Sequence, residues 1–163
     1  MSCCDINLEQ RDDKAAMTDT LDTSDYRRLA NFRYALRQFA AFSEAAARAA
    51  GLTPQQHQAL LAIRGHAGPE AISVGKLAEQ LIVHHHSAVG LVDRLVAEGL
   101  VERHHAAADR RRVELSLTDR AEHVLAGLSV VHREEIRRIG TELQAIIAEI
   151  AADDDRAGRV AAG

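Results

Sequence analysis

The spacing of apolar residues changes between residues 84 and 118, in the middle of the chain. A first set recurs at intervals of three and four, which is the period of a helix with one buried face, and comprises Ala88, Leu91, Val92 and Leu95. A later set alternates with polar residues, which is the period of a half-buried strand, and comprises Val113, Leu115 and Leu117. Gly99 separates the two patterns and can end the helix in a left-handed conformation. With an extended segment from Leu100, the region is predicted to be a helix, a strand, a turn and a second strand.

A long helix is predicted near the start of the chain. Ser24 or Asp25 can cap it, and Gly51 ends it. Its apolar residues recur at three and four, a narrow seam suited to packing on other helices, and are Leu29, Phe32, Leu36 and Phe39.

Two shorter helices follow. Thr53 precedes Pro54 and, three positions on, Gln56, which is the arrangement of a capping box. The apolar side of that helix is expected to comprise Leu60, Leu61 and Ile63. Ser73 can cap the next helix, over residues 74–81, with a short strand at 71–73 before it. Residues 82–83 would form a turn into the helix described first, so the two helices form a helix-turn-helix.

The chain is predicted to end in two helices. Thr118 can cap the first and Asp119 complements its dipole, while Gly140 and Thr141 are expected to break it. Its inward face is predicted to be Ala121, Leu125, Leu128, Val131 or His132, and Ile139. The last helix would bury Leu143, Ile146, Ile147 and Ile150.

Composition limits the class of protein. Hydrophobic residues make up 47% of the 163 residues but aromatic residues only 3%, so an aliphatic core of helices is favoured. No apolar run approaches the ~18 residues of a membrane span, and the acidic start does not resemble a secretory signal. Cys3 and Cys4 offer no disulfide framework. We expect a single-domain cytoplasmic protein.

The charge is unevenly distributed. The net charge of the chain is −4, yet residues 1–25 alone carry seven acidic and two basic residues. Residues 103–112 carry four arginines, two histidines and one acid. A basic surface is therefore expected on the predicted hairpin, which is where duplex DNA would be contacted.

Three motifs within residues 92–118 resemble the winged helix-turn-helix of the MarR family of bacterial transcription regulators. They are VDRL at residues 92–95, EGLVER at 98–103 and DRRRVELSLT at 109–118. The resemblance implies a mainly α-helical fold with a small β-hairpin wing (α+β). The expected organisation is a disordered acidic segment at 1–24, a dimerisation region at 25–50 and 118–152, a DNA-binding domain at 53–117 and a flexible tail at 153–163.

The resemblance also implies a function. It implies a homodimeric regulator, most often a repressor, that binds an inverted-repeat operator and responds to a small-molecule effector. In the family's wing, an Asp positions a basic neighbour and an Arg enters the minor groove. Carried over by position, those roles fall to Asp109 and Arg111, and the flanking Arg110 and Arg112 are candidate phosphate contacts.

Further candidate DNA contacts lie at the start of the helix that contains Ala88. Imidazoles and a hydroxyl near a recognition helix N-terminus can meet base edges and phosphates, and here they belong to His84, His85, His86 and Ser87. Gly90 costs ~1 kcal/mol inside a helix, which close approach of DNA or neutral drift would explain equally well. Arg94 could contact a phosphate or pair with Asp109. Each histidine could equally be a solvated polar residue.

Two other classes of function have weaker support in the sequence. Consecutive helical residues point about 100° apart, so residues 84–86 are not expected to chelate one ion, although a zinc-responsive switch built from distant histidines stays an alternative. Catalytic constellations such as a nucleophile elbow or a phosphate-binding loop do not occur in the sequence. No enzyme activity and no cofactor are therefore predicted, and Cys3 and Cys4 have no nearby base to activate them.

Overall fold

The computed structural model describes residues 22–68, 71–105 and 113–160. Within them the elements are α1 (Thr23–Ala49), α2 (Pro54–Arg64), β1 (Ile72–Ser73), α3 (Val74–Leu81), α4 (His85–Ala97), β2 (Val101–His105), β3 (Val113–Leu117) and α5 (Asp119–Val160). The fold is mainly helical with one small sheet, as predicted. Several predicted features lie outside the described residues: most of the acidic segment with Cys3 and Cys4, the end of the tail, and Asp109, Arg110, Arg111 and Arg112.

Helix α1 begins two residues earlier than the capping signals indicated. Asp22 is its N-cap, and its Oδ1 accepts hydrogen bonds from the backbone N–H groups of Ser24 at 2.6 Å and Asp25 at 3.1 Å. Asp25 accepts the backbone N–H of Asp22 at 2.8 Å, which completes a capping box. The prediction of Ser24 or Asp25 as the cap is therefore wrong, because this reciprocal pair satisfies more of the free N–H groups at the helix start.

The predicted starts of α2, α3 and α5 are confirmed. Thr53 and Gln56 form the capping box of α2, and Ser73 accepts the backbone N–H of Lys76 at 3.2 Å at the start of α3. Thr118 accepts the N–H of Ala121 at 3.3 Å, and its hydroxyl donates to the carbonyl oxygen of Gly99 at 2.8 Å. The second bond fixes the start of α5 beside the end of α4.

The sheet is antiparallel, with β3 between β1 and β2. Val101 pairs with Leu117 and His105 with Val113, so β2 and β3 form a hairpin in register along its whole described length. Ile72 pairs with Leu115, which joins the short strand before α3 to the same sheet. We call the β2–β3 hairpin, with the segment that connects its strands, the wing.

Helix α5 is continuous over 42 residues, so the predicted break at Gly140 and Thr141 is wrong. A glycine in a helix interior costs only ~1 kcal/mol relative to alanine. Packing on α1 outweighs this cost, because α5 buries residues before and after Gly140, namely Ala121, Leu125, Leu128, His132, Ile139 and Ile146. Of the two candidates offered by the pattern, His132 is buried and Val131 is exposed.

One hydrophobic core joins the helices to the sheet. Aliphatic residues of α2, α3, α4, the sheet and the start of α5 form one buried cluster. Four residues of the predicted apolar faces are exposed instead: Leu61 on α2, Leu29 and Leu36 on α1, and Ile147 on α5. Among the described residues no helix is long and apolar enough to cross a membrane.

Candidate nucleic-acid interface

Helices α3 and α4 form a helix-turn-helix whose second helix has one buried and one exposed face. The predicted stripe is confirmed, since Ala88, Leu91, Val92 and Leu95 are buried in the core. The exposed residues of α4 include His85, His86, Ser87, Asp93 and Arg94. The core therefore fixes the orientation of α4, and its N-terminal residues face away from the protein.

The three consecutive histidines do not share one direction. His84 is the N-cap of α4, and its ring stacks on that of His86, with centroids 5.5 Å apart and planes 9° apart. His85 instead lines a cleft of about 500 Å³ with Val74, Val89 and Arg103. Helical rotation does not separate the rings of His84 and His86, because the backbone of His84 is extended and precedes the first helical residue.

This pairing does not amount to a metal centre. Within the described ranges there is no group of three or more His, Cys, Asp or Glu side chains that could hold a metal ion. Structural zinc sites take four protein ligands and catalytic sites three. The zinc-responsive alternative therefore has no support in the described part of the chain.

Gly90 is not required by the packing of the protein. A Cβ built on Gly90 would meet only the Nη1 of Arg94, at 3.7 Å, which is an ordinary contact. The helix therefore carries the cost of glycine at a position where alanine would fit. Arg94 itself is exposed one turn further along, and its proposed partner Asp109 lies outside the described residues.

An ion pair that sequence reasoning missed ties α4 to the wing. The Nη2 of Arg103 on β2 lies 2.6 Å from the Oδ1 of Asp93 on α4. Both residues belong to the motifs VDRL and EGLVER, but no periodicity relates a helix position to a strand position ten residues away. The pair joins the two elements that would touch DNA, so it fixes one relative to the other.

The described part of the wing is polar on its outer side. Glu102, Arg103, His104 and His105 are exposed on β2, and the Nε2 of His104 lies 2.7 Å from the Oγ of Ser116 on β3. This contact braces the two strands across the hairpin. The predicted basic contacts at 109–112 belong to the connecting segment, outside the described residues.

A second cluster, behind the helix-turn-helix, was also missed. His57 of α2 and His132 of α5 are buried with ring centroids 4.6 Å apart. The Nδ1 of His132 donates to the carbonyl oxygen of Leu128 at 2.8 Å, and its Nε2 lies 2.8 Å from the Oγ of Ser43 on α1. Burial, and then the nearby His132, lower the pKa of His57 below its ordinary 6.5.

This histidine cluster joins three helices. The rings of Phe39 and Phe42 on α1 meet that of His132 edge to face, at 6.2 and 5.7 Å. Since α2 packs on the helix-turn-helix, the cluster connects the two long helices α1 and α5 to the helix-turn-helix. No sequence spacing indicated it, because its members come from three separate helices.

A helix-turn-helix followed by a two-stranded wing defines the class as a winged helix-turn-helix protein. The family model described as the MarR family matches residues 50–112. The HTH-type transcriptional repressor MdtR of Bacillus subtilis (strain 168) is 31% identical over 118 residues, which cover 65% of this chain and 74% of that protein.

Solved structures share the fold. AbsC, a MarR family transcriptional regulator from Streptomyces coelicolor, superposes with a TM-score of 0.65 at 17% identity, covering 88% of this chain and 98% of AbsC. CouR from Rhodococcus jostii RHA1, bound to p-coumaroyl-CoA, gives a TM-score of 0.59 at 20% identity, covering 72% of this chain and 80% of CouR. The chain belongs to the MarR family of DNA-binding transcription regulators.

Proposed function

We propose that the protein is a homodimeric repressor that binds an inverted-repeat operator and releases it when a small molecule binds. The observation that carries the proposal is the exposed N-terminal half of α4, held by a buried stripe on its other face. In helix-turn-helix proteins this end of the second helix enters the major groove. The relative MdtR is named as a transcriptional repressor, which supports the sign of regulation proposed here.

Base and phosphate contacts are assigned to the start of α4 and to the wing. We propose that His84, His85, His86 and Ser87 meet base edges and phosphates, with Gly90 allowing close approach and Arg94 contacting a phosphate. In the wing, Arg111 would enter the minor groove, held by Asp109, and Arg110 and Arg112 would contact phosphates.

A dimer is supported by apolar surface that the single chain leaves exposed. Ile136 and Ile147 of α5 are 52% and 53% exposed. With Gly140 and Leu143 between them the spacing is four, three and four, which puts all four residues on one flank of the helix. On α1, Leu29 and Leu36 are also exposed and lie two turns apart. A second copy packed on these flanks would bury them.

Dimerisation fits the proposed mode of DNA binding. Each chain has one recognition helix, so two chains related by a two-fold axis read two half-sites about one helical turn apart. For the effector, the support is the neighbour CouR, whose structure contains p-coumaroyl-CoA. We propose a small-molecule effector for this protein without assigning its chemical class.

The test begins with the selection of an operator from a random duplex pool by the wild-type protein. Footprinting should reveal an inverted repeat with half-site centres ~10 bp apart on one face of the duplex. Replacing His84 and His86 with alanine should weaken binding to the selected duplex, and His123→Ala, at an exposed histidine of α5, should not. Absence of any enriched sequence, or full affinity for a single half-site, would contradict the proposal.

A further inference from the structure

Ile82, in the turn between α3 and α4, has a conformation and an exposure that are both unfavourable for isoleucine. Its φ is 54° and its ψ 48°, and it is the only non-glycine residue in the described ranges with a positive φ. The residue is 92% exposed, whereas the next most exposed large apolar residue, Tyr26, is 61% exposed. A β-branched residue in the left-handed region is a genuine outlier.

The same type of helix end occurs three times among the described residues, which allows a direct comparison. At the ends of α1 and α4 the left-handed residue is glycine, Gly51 with φ 78° and Gly99 with φ 67°. At the end of α4, the N–H groups of Gly99 and of the next residue donate to backbone carbonyl oxygens of the last helical turn. The same two bonds occur at the end of α3. The N–H of Ile82 donates to the carbonyl oxygen of Glu79 at 3.1 Å, and the N–H of Val83 donates to that of Ala78 at 3.0 Å. Only the end of α3 carries a side chain where glycine is cheapest.

Neither folding nor self-association explains the isoleucine. Its side chain adds almost nothing to the core, since nearly all of it is in solvent. It also does not belong to α1 or α5, where the proposed dimer flanks lie. Strain that packing does not require is a mark of a functional position.

The location of Ile82 indicates what it contacts. It lies two residues before His84, the N-cap of α4, and so beside the N-terminus of the helix that is proposed to enter the major groove. Apolar side chains near the N-terminus of a recognition helix can contact the C5-methyl group of thymine or the carbon atoms of deoxyribose. Burial against either would remove the exposed isoleucine from water.

We propose that Ile82 is an apolar DNA-contacting residue that contributes to operator affinity. The inference rests on the proposed docking of α4 and adds to it a residue that has no hydrogen-bonding group. The left-handed backbone holds the side chain out from the turn, so the fold gives up stability at this position to present it.

The test separates folding from binding, because the proposal predicts that they change in opposite directions. Ile82→Gly and Ile82→Asn both suit the left-handed conformation, so both should raise the midpoint of thermal unfolding. Both should weaken binding to the duplex selected by the wild-type protein, by about tenfold for the loss of one buried aliphatic side chain. Ile82→Val, which keeps an apolar branched side chain, should stay within about fourfold of the wild type by the same reasoning.

A matched control and a chemical probe complete the experiment. Val130→Asn, at an exposed apolar residue of α5, should leave affinity unchanged. Replacing each operator thymine in turn with uracil, which lacks the C5-methyl group, shows whether Ile82 contacts a thymine methyl group or deoxyribose. If Ile82→Asn loses its effect on one uracil-containing duplex, the partner is that thymine methyl, and if the effect persists on every one, the partner is deoxyribose.

Two different outcomes would contradict the role of Ile82 and the proposed function separately. Wild-type affinity in Ile82→Gly and Ile82→Asn would overturn the assignment of Ile82 and leave the regulator intact. Failure of the wild-type protein to select any duplex would overturn the proposed function itself.

Discussion

His57 of α2 and His132 of α5 lie with their ring centroids 4.6 Å apart, in a buried contact that joins α2 to the long helix α5. His132 is held by Leu128 and Ser43, so the position of its ring is fixed from both nitrogens. A positive charge on His57 is unfavourable in this contact, because burial and then the nearby His132 lower the pKa of His57.

The first prediction concerns pH. Burial lowers the pKa of His57 in the folded protein, so near pH 6.5 the unfolded chain takes up a proton that the folded chain does not. Stability should therefore fall as the pH drops through 6.5 toward the lower folded pKa, by at most about 1.4 kcal/mol per pH unit for one group. It should not depend on this group well above pH 6.5. Urea unfolding of the wild type and His57→Gln across pH 5–8 measures the difference.

An exposed histidine provides the control for that experiment. His123→Gln, on the same helix as His132 but exposed, should keep the wild-type dependence on pH, and His57→Gln should flatten it. A His57→Gln protein with the full wild-type slope would assign the dependence to other groups.

The second prediction concerns Asp93 and distinguishes the effect of its negative charge on DNA binding from the effect of its ion pair. Asp93 is an acid on the helix proposed to meet DNA, so a model based on charge alone expects Asp93→Asn to bind more tightly. We expect weaker binding, because the variant loses the 2.6 Å ion pair that ties α4 to β2 through Arg103. The pair is partly exposed, so unfolding free energy should change by no more than about 1 kcal/mol. Titration with the selected duplex decides between the models.

The third prediction uses two glycines of the same kind. Gly90→Ala should stabilise the fold by up to about 1 kcal/mol, because helical alanine is favoured and its Cβ has room. If DNA approaches α4 closely at this point, the same variant should bind the operator more weakly. Gly127→Ala, on α5 with nothing within 4 Å of the added Cβ, should stabilise without loss of affinity. Undiminished binding by Gly90→Ala would favour neutral drift as the origin of the glycine.

The fourth prediction concerns the proposed dimer flank of α5. Replacing Ile136 and Ile147 with glutamate would bury two charges against the second copy, so the protein should sediment as a monomer and lose operator affinity. Val130→Glu is the control, because Val130 is as exposed but lies about 120° around the helix from Ile136. A double variant that remains dimeric at micromolar concentration would move the interface elsewhere.

The fifth prediction concerns the wing. Arg111→Ala should cost a few kcal/mol of operator binding and reduce the slope of log affinity against log salt by about one unit. Asp109→Ala should also weaken binding if Asp109 positions a basic side chain, although it removes a negative charge. Tighter binding by Asp109→Ala at two salt concentrations would refute the positioning role.

Local signals in the sequence were sufficient for most of the elements. Several predictions agree with the structure: the bounds of α3, the capping box at Thr53, the cap at Ser73, the left-handed Gly99 and the buried stripe of α4. These features depend on interactions between residues close together in the sequence, so the local sequence is enough to predict them.

Only the tertiary structure decided the features that depend on distant neighbours. Packing on α1 keeps α5 continuous through Gly140, and the meeting of three helices brings His57 to His132. The Asp93–Arg103 pair depends on how β2 folds back along α4, and the strain at Ile82 depends on the closure of the turn between α3 and α4. The sequence by itself determined the winged helix-turn-helix and its family, because capping, periodicity and motif are local. The relative positions of the helices and the wing were decided by packing, because the contacts that hold them together are between residues far apart in the sequence.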